Sequence, residues 1–210
     1  MYLTGTIEQY LNDAASSKPA PGGGSVSALA GALGTAMGSM AANFTVGKKK
    51  FADVEPRVKE LLASLAKEQA ALLQLMDEDV TAYSTVSKAY GMSRETDDQK
   101  KERRAAIQKA LVVAMDVPLR IIRSCSSVFA VLSELVDIAN PNLISDVGVS
   151  AILAQAALEG GKLNVEINIA SLKDQDLVSI TRTEIDTASS DAARQHDEIL
   201  QKVRAAVNGP

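Results

Sequence analysis

Leu163-Asn-Val-Glu-Ile-Asn-Ile169 is the segment on which the fold class turns. Its apolar residues alternate, which is the pattern of a half-buried strand. A lone strand has nothing to pair with, and no second stretch of the 210 residues looks like β-structure. The segment is therefore read as the continuation of the helix before it, and the chain as all-α.

Upstream, Asn140-Pro-Asn142 marks a turn, and Ser145-Asp146 caps a helix that reaches Gly160-Gly161. Before the turn, a helix opens at Asp97-Asp98 and carries Ile107, Leu111 and Ala114 until it meets Pro118. Proline must kink or divide it, so Leu119 to Ala139 is expected as a further segment. The longest helix is expected from Val54 to Tyr90, with Asp53 as cap, Pro56 in its first turn and an apolar stripe through Leu65, Leu72, Met76, Tyr83 and Val86. Earlier still, Ser25 to Val46 reads as a helix stopped by Gly47, and Thr6 to Ser16 as a short one with Ile7, Tyr10 and Leu11 on one face. Downstream, a long helix spans Asp176 to Val207. The expected architecture is a single-domain up-and-down bundle of about six to seven long helices over residues 1–210.

Composition supports this and removes several kinds of function. Apolar residues make up 46% of the chain and aromatics 3%, with no Trp, so the core is built from Ala, Leu, Val and Ile. A net charge of −4 argues against nucleic acid, whose binding needs a dominant basic face. Cys125 is the only cysteine, set among apolar neighbours, and reads as a buried, inert thiol in a reducing compartment. His196 is the only histidine, so neither a catalytic triad nor an imidazole-bearing metal site is indicated. Residues 26–46 run without a charge, but Ala, Gly, Ser and Thr dominate them, which suits a buried helix better than a membrane span. The N-terminus has neither basic region nor apolar core, so a cytoplasmic protein without signal peptide is expected.

Chemistry is left to carboxylates and amides. Asp79 lies three residues after Met76 and four before Tyr83, beside the buried stripe of its helix. A carboxylate drawn out of water has its neutral form favoured, which suits acid–base work near neutral pH. A satisfied structural carboxylate is the competing reading. Asp77 lies at the rim of the same groove. Gly22-Gly23-Gly24-Ser25 opens a helix where backbone N–H groups can approach a ligand, or makes a tight turn between packed helices. Lys48, Lys49 and Lys50 complement the negative end of that helix. Asn140 and Asp146 bracket a turn, where capping is the default. Asn164 and Asn168, one turn apart, share a face.

Several of these stretches resemble one family. Pro19-Ala-Pro-Gly-Gly-Gly-Ser25, Gly47-Lys-Lys-Lys-Phe51, Met76-Asp-Glu-Asp-Val-Thr-Ala-Tyr83, Asp116-Val-Pro-Leu119, Asn142-Leu-Ile-Ser-Asp146 and Asn164-Val-Glu-Ile-Asn168 occur in the order and spacing of the cyclodeaminase/cyclohydrolase family. That family includes the C-terminal domain of formiminotransferase-cyclodeaminase and stand-alone bacterial methenyltetrahydrofolate cyclohydrolases, which Ala89-Tyr-Gly-Met92 resembles more closely. Met92-Ser-Arg94 departs from the Leu-Pro-Lys often found there. The resemblance implies a helical bundle that pairs into homodimers, a folate substrate, no cofactor and no metal. It implies hydrolysis of 5,10-methenyltetrahydrofolate to 10-formyltetrahydrofolate, with formiminotetrahydrofolate cyclodeaminase, or a non-catalytic folate-binding protein, as alternatives. The family's catalytic aspartate falls on Asp79. The glycine turn, Asn164 and Asn168 become candidates for the pterin edge, and Lys48, Lys49 and Lys50 for the glutamate tail.

Overall fold

A computed structural model describes residues 2–209. Among them there is no strand. Six α-helices follow in order: α1 (Ile7–Ala14), α2 (Gly23–Asn43), α3 (Glu55–Tyr90), α4 (Asp97–Ile138), α5 (Ile144–Ile169) and α6 (Gln175–Asn208), with single 3-10 turns at Lys49–Phe51 and Pro141–Leu143. The alternating segment 163–169 is helical and completes α5 without a break at Gly160-Gly161.

Helices α2 to α5 form an up-and-down four-helix bundle, each antiparallel to the next. The pairing is legible in single contacts. A Cβ at Gly31 would lie 3.2 Å from Leu72 of α3, and one at Gly34 3.0 Å from the Ser150 carbonyl of α5. The small residues of α2 thus let it sit deep between its neighbours, as their cost in helix propensity suggested. Helix α6 lies along the α4/α5 groove, held by ion pairs Arg123–Glu184, Lys162–Asp186 and Lys202–Asp137. Phe129, Leu65, Leu72, Leu132 and Leu158 are fully buried at the centre, each contributing about 1.5–3 kcal/mol through removal from water.

These expectations are corrected. Pro118 does not divide its helix, and α4 runs for 42 residues. Its N-cap is Thr96 in a capping box with Gln99: the Gln99 N–H donates to the Thr96 hydroxyl and the Thr96 N–H to the Gln99 side-chain oxygen. Neither Asp53 nor the Ser145-Asp146 pair caps a helix: Val54 and Leu143 hold those positions without side-chain bonds. On α1, Tyr10 is buried while Ile7 and Leu11 face outward. Helix α2 ends at Asn43, and Gly47 closes the following turn with φ +73°. Helices α2 and α5 are long and apolar enough to cross a membrane, but about half of each such window, 56% and 44%, is buried in the bundle.

Candidate active site

The stripe of α3 changes neighbours along its length. Leu65, Leu72 and Met76 enter the core, and beyond Met76 the core opens, so the next stripe positions face a groove. Asp79 is the first of them, followed by Tyr83 and Val86. The groove holds about 370 Å³ and is closed by the turn before α2 and by Asn164 and Asn168 of α5.

Asp79 is mostly buried, and burial raises its carboxyl above the ordinary aspartate range. One oxygen accepts from the Ser25 backbone N–H at 2.9 Å, which pulls the other way. The helix N-cap, Gly22, has no side chain to offer, so a carboxylate from α3 does the capping of α2 across the chain. The positive end of the helix dipole thereby favours the ionised form. Desolvation outweighs the Ser25 hydrogen bond.

The triple glycine is explained by crowding at two positions. A Cβ on Gly24 would stand 2.6 Å from Asp79 Cγ, and one on Gly23 2.9 Å from Asn164 Nδ2. Gly22 is under no such constraint. The Gly23 and Gly24 N–H groups, first in α2, have no intrahelical acceptor; Gly24 stands against the Asp79 carboxylate and Gly23 against the Asn164 amide. Ser25 is buried, with its hydroxyl 3.0 Å from the Tyr10 hydroxyl. Burial pushes the Tyr10 phenol up, and the charge of Asp79 adds to it. Across the groove, Asn164 donates to the Gly160 carbonyl at 2.8 Å, and Asn168 to the Asn164 carbonyl at 2.7 Å.

Asp79, Gly22, Gly23, Gly24, Ser25, Asn164 and Asn168 are therefore together at one end of the bundle. The remaining candidates are elsewhere. Asp77 points to the other side of α3, where it accepts from the Tyr2 backbone N–H at 2.8 Å and lines a separate cavity. Two residues of helix turn it well away from Asp79. Lys48, Lys49 and Lys50 follow the far end of α2, roughly 30 Å from the groove at 1.5 Å per residue. Asn140 is at that end too, accepting from Asn142 N–H and donating to the Phe44 carbonyl, which ties the end of α2 to the α4–α5 turn. Asp146 sits in the first turn of α5 beside it.

Tyr10 and Pro118 bear on this site in ways that sequence reasoning missed: the Tyr10 hydroxyl is bonded to that of Ser25, and the Ala114 carbonyl, four residues before Pro118, accepts from Asn168. Tyr10 carried only a periodicity signal. A proline inside a helix did signal an unserved carbonyl, but not which side chain would serve it. Cys125 is fully buried and its thiol is pushed up to about 12 by that burial. A larger cavity, about 640 Å³ between α4 and α6, has as its charged groups only Arg123 and Glu184, which neutralise each other.

Residues 6–187 match the formiminotransferase-cyclodeaminase family. A methenyltetrahydrofolate cyclohydrolase of Methylorubrum extorquens is 37% identical over 97% of this chain and 98% of its own. The formimidoyltransferase-cyclodeaminase of Rattus norvegicus is 28% identical over 97% of this chain, which spans only 38% of that longer protein. The crystal structure of a formiminotetrahydrofolate cyclodeaminase from Thermotoga maritima superposes with a TM-score of 0.79 at 29% identity, covering 97% of this chain and 96% of that one. In sequence along nearly its whole length and in fold, the chain belongs to the formiminotransferase-cyclodeaminase family.

Proposed function

We propose that this protein hydrolyses 5,10-methenyltetrahydrofolate to 10-formyltetrahydrofolate, with Asp79 as general base. The observation that carries the reading is the end-to-end match to a relative named for that reaction, at higher identity than the match to the rat cyclodeaminase. The site chemistry agrees with it. The methenyl bridge is a cation shared by two nitrogens, and a half-desolvated carboxylate attracts it. Water adds to the bridge carbon and gives a proton to Asp79. The C–N5 bond of the adduct then breaks, N5 takes up a proton, and the second water proton leaves as the formyl C=O forms. Oxygen charge built up in the adduct lies within the field of the free Gly23 and Gly24 N–H groups.

The Thermotoga likeness favours a second reading, the ammonia-releasing cyclodeaminase. One pair of assays separates them: loss of the methenyl chromophore with the methenyl substrate, and ammonia release with formimino-folate. Hydrolysis without ammonia is expected. Ammonia release at a higher kcat/KM would reverse the assignment. A cytoplasmic setting suits either reading, since the single buried cysteine forms no disulfide.

A homodimer would reunite the two ends of the bundle. Val26, Leu33 and Met40 of α2, Phe44 just after it, and Val149, Ile152, Leu163 and Ile167 of α5 are all exposed, and residues 26–46 carry no charge. An exposed helix face is ordinarily polar, and a contiguous apolar one marks a contact. A two-fold axis through mid-α2 reverses the partner's helix and brings its lysine run to this subunit's groove, where a glutamate tail emerges. Leu33→Glu, at the centre of that face, is expected to sediment as a monomer and to lose at least tenfold in kcat/KM. A wild-type protein that is monomeric at micromolar concentration, or a Leu33→Glu protein still dimeric, would refute the arrangement.

A further inference from the structure

We infer that Pro118 is a positioning residue for the groove: by withholding its backbone N–H it leaves the Ala114 carbonyl free to lock the Asn168 side chain. The inference rests on the folate reading above and deepens it by assigning the polarity of the pterin contact.

In an α-helix each N–H bonds the carbonyl four residues back. Proline has no N–H, so within the unbroken α4 the Ala114 carbonyl lacks its helical donor at Pro118. Asn168 Nδ2 supplies one instead, at 3.1 Å, across the α4/α5 interface. The same nitrogen also donates to the Asn164 carbonyl at 2.7 Å. A primary amide has two N–H donors, and both are now spent on carbonyls. Turning the amide over would set Oδ1 against two carbonyl oxygens and lose both bonds. Its orientation is therefore fixed, and the end left over is Oδ1, an acceptor on the wall shared with Asp79. Asn164 commits one of its two N–H groups to the Gly160 carbonyl and keeps the other. At Asn168 this wall thus offers oxygen, and the ligand edge that matches it is one that donates: the N–H and exocyclic amine edge of a pterin-type ring rather than its carbonyl.

Pro118 touches no reacting atom in this scheme. With alanine at position 118 the helix supplies its own N–H to Ala114, the Asn168 amide loses one of its two anchors, and the acceptor is no longer held in place. Pro118→Ala is expected to raise KM for 5,10-methenyltetrahydrofolate roughly five- to tenfold, the loss of one oriented hydrogen bond. Its kcat should stay within about twofold and its melting temperature should not fall, since alanine is the better helix former. A merely structural proline would move melting temperature or active fraction and leave KM alone.

The coupling is tested by adding Asn168→Ala to both backgrounds. In wild type that change should raise KM at least tenfold. In Pro118→Ala it should add less than threefold, because the orientation is already lost. Additive effects, or an unchanged KM in Pro118→Ala, would overturn the inference while leaving the cyclohydrolase reading intact. A wild-type protein that neither turns over the methenyl compound nor binds 5-formyltetrahydrofolate by calorimetry would remove both.

Discussion

Asp79→Asn is expected to lower kcat/KM for methenyl-folate hydrolysis about a thousandfold, within the range that positioned general bases contribute. The substitution is chosen to isolate the proton. Asparagine has the size of aspartate, and its Oδ1 can still accept from the Ser25 N–H that Asp79 now caps. What disappears is the basic oxygen and the negative charge that attracts the bridge cation. Helix content should be unchanged by circular dichroism. Stability should respond in the opposite sense to activity. Because burial raises the folded-state pKa of Asp79 above its unfolded value, the native protein binds the extra proton in the interval between the two. Stability from this group is then present at low pH and lost as pH rises from the unfolded value through the folded one. At neutral pH the ionised carboxylate is a burden on the fold, and Asp79→Asn should melt no lower than wild type. In the active enzyme the same shift displaces the acid limb of kcat/KM above the ordinary aspartate range, and the variant should lack that limb. Full turnover in Asp79→Asn would take this carboxylate out of the chemistry.

The position of Asp79 was legible because periodicity reports which side of a helix meets the interior, and Asp79 breaks an apolar stripe at a stripe position. The same logic carried 163–169, where the want of a pairing partner outweighed local alternation and the structure continues α5. Asp77 shows the limit of that logic. Its rim position was visible, but the two-residue rotation that separates its cavity from the groove depends on which helices stand on either side of α3. The lysine run and Asn140 are absent from this subunit's groove for another reason. Motifs that belong together in a family need not belong together in one chain, and linear order says nothing of the roughly 30 Å that α2 puts between them. Pro118 is the instructive miss. Helix chemistry alone announces an unserved carbonyl at Ala114, yet the donor comes from 54 residues away, and only the packing of α5 on α4 identifies it.

Gly24→Ala should be nearly as damaging to activity as the loss of Asp79, and for a reason that excludes the usual account of glycine. Gly24 is not among the glycines with positive φ, so alanine meets no backbone penalty there. Within a helix alanine is the better residue by about 1 kcal/mol. On local grounds the substitution stabilises. The obstacle is the Asp79 side chain, whose Cγ would be 2.6 Å and Oδ2 3.0 Å from the new methyl carbon. Both helices are fixed by their packing, α2 by the close approach of Gly31 and Gly34 to its neighbours, so the carboxylate is the part that yields. It must rotate away from Ser25 N–H, leaving α2 without its cap and the base displaced by about an ångström, a shift that costs on the order of a hundredfold in rate. The prediction is a loss of at least a hundredfold in kcat with helix content retained. Its cause is checked in the Asp79→Asn background: if the methyl acts only by displacing the carboxylate, adding Gly24→Ala to a protein that has already lost the base should lower activity by less than threefold. Multiplicative losses in the double variant would mean that Gly24 serves the substrate directly.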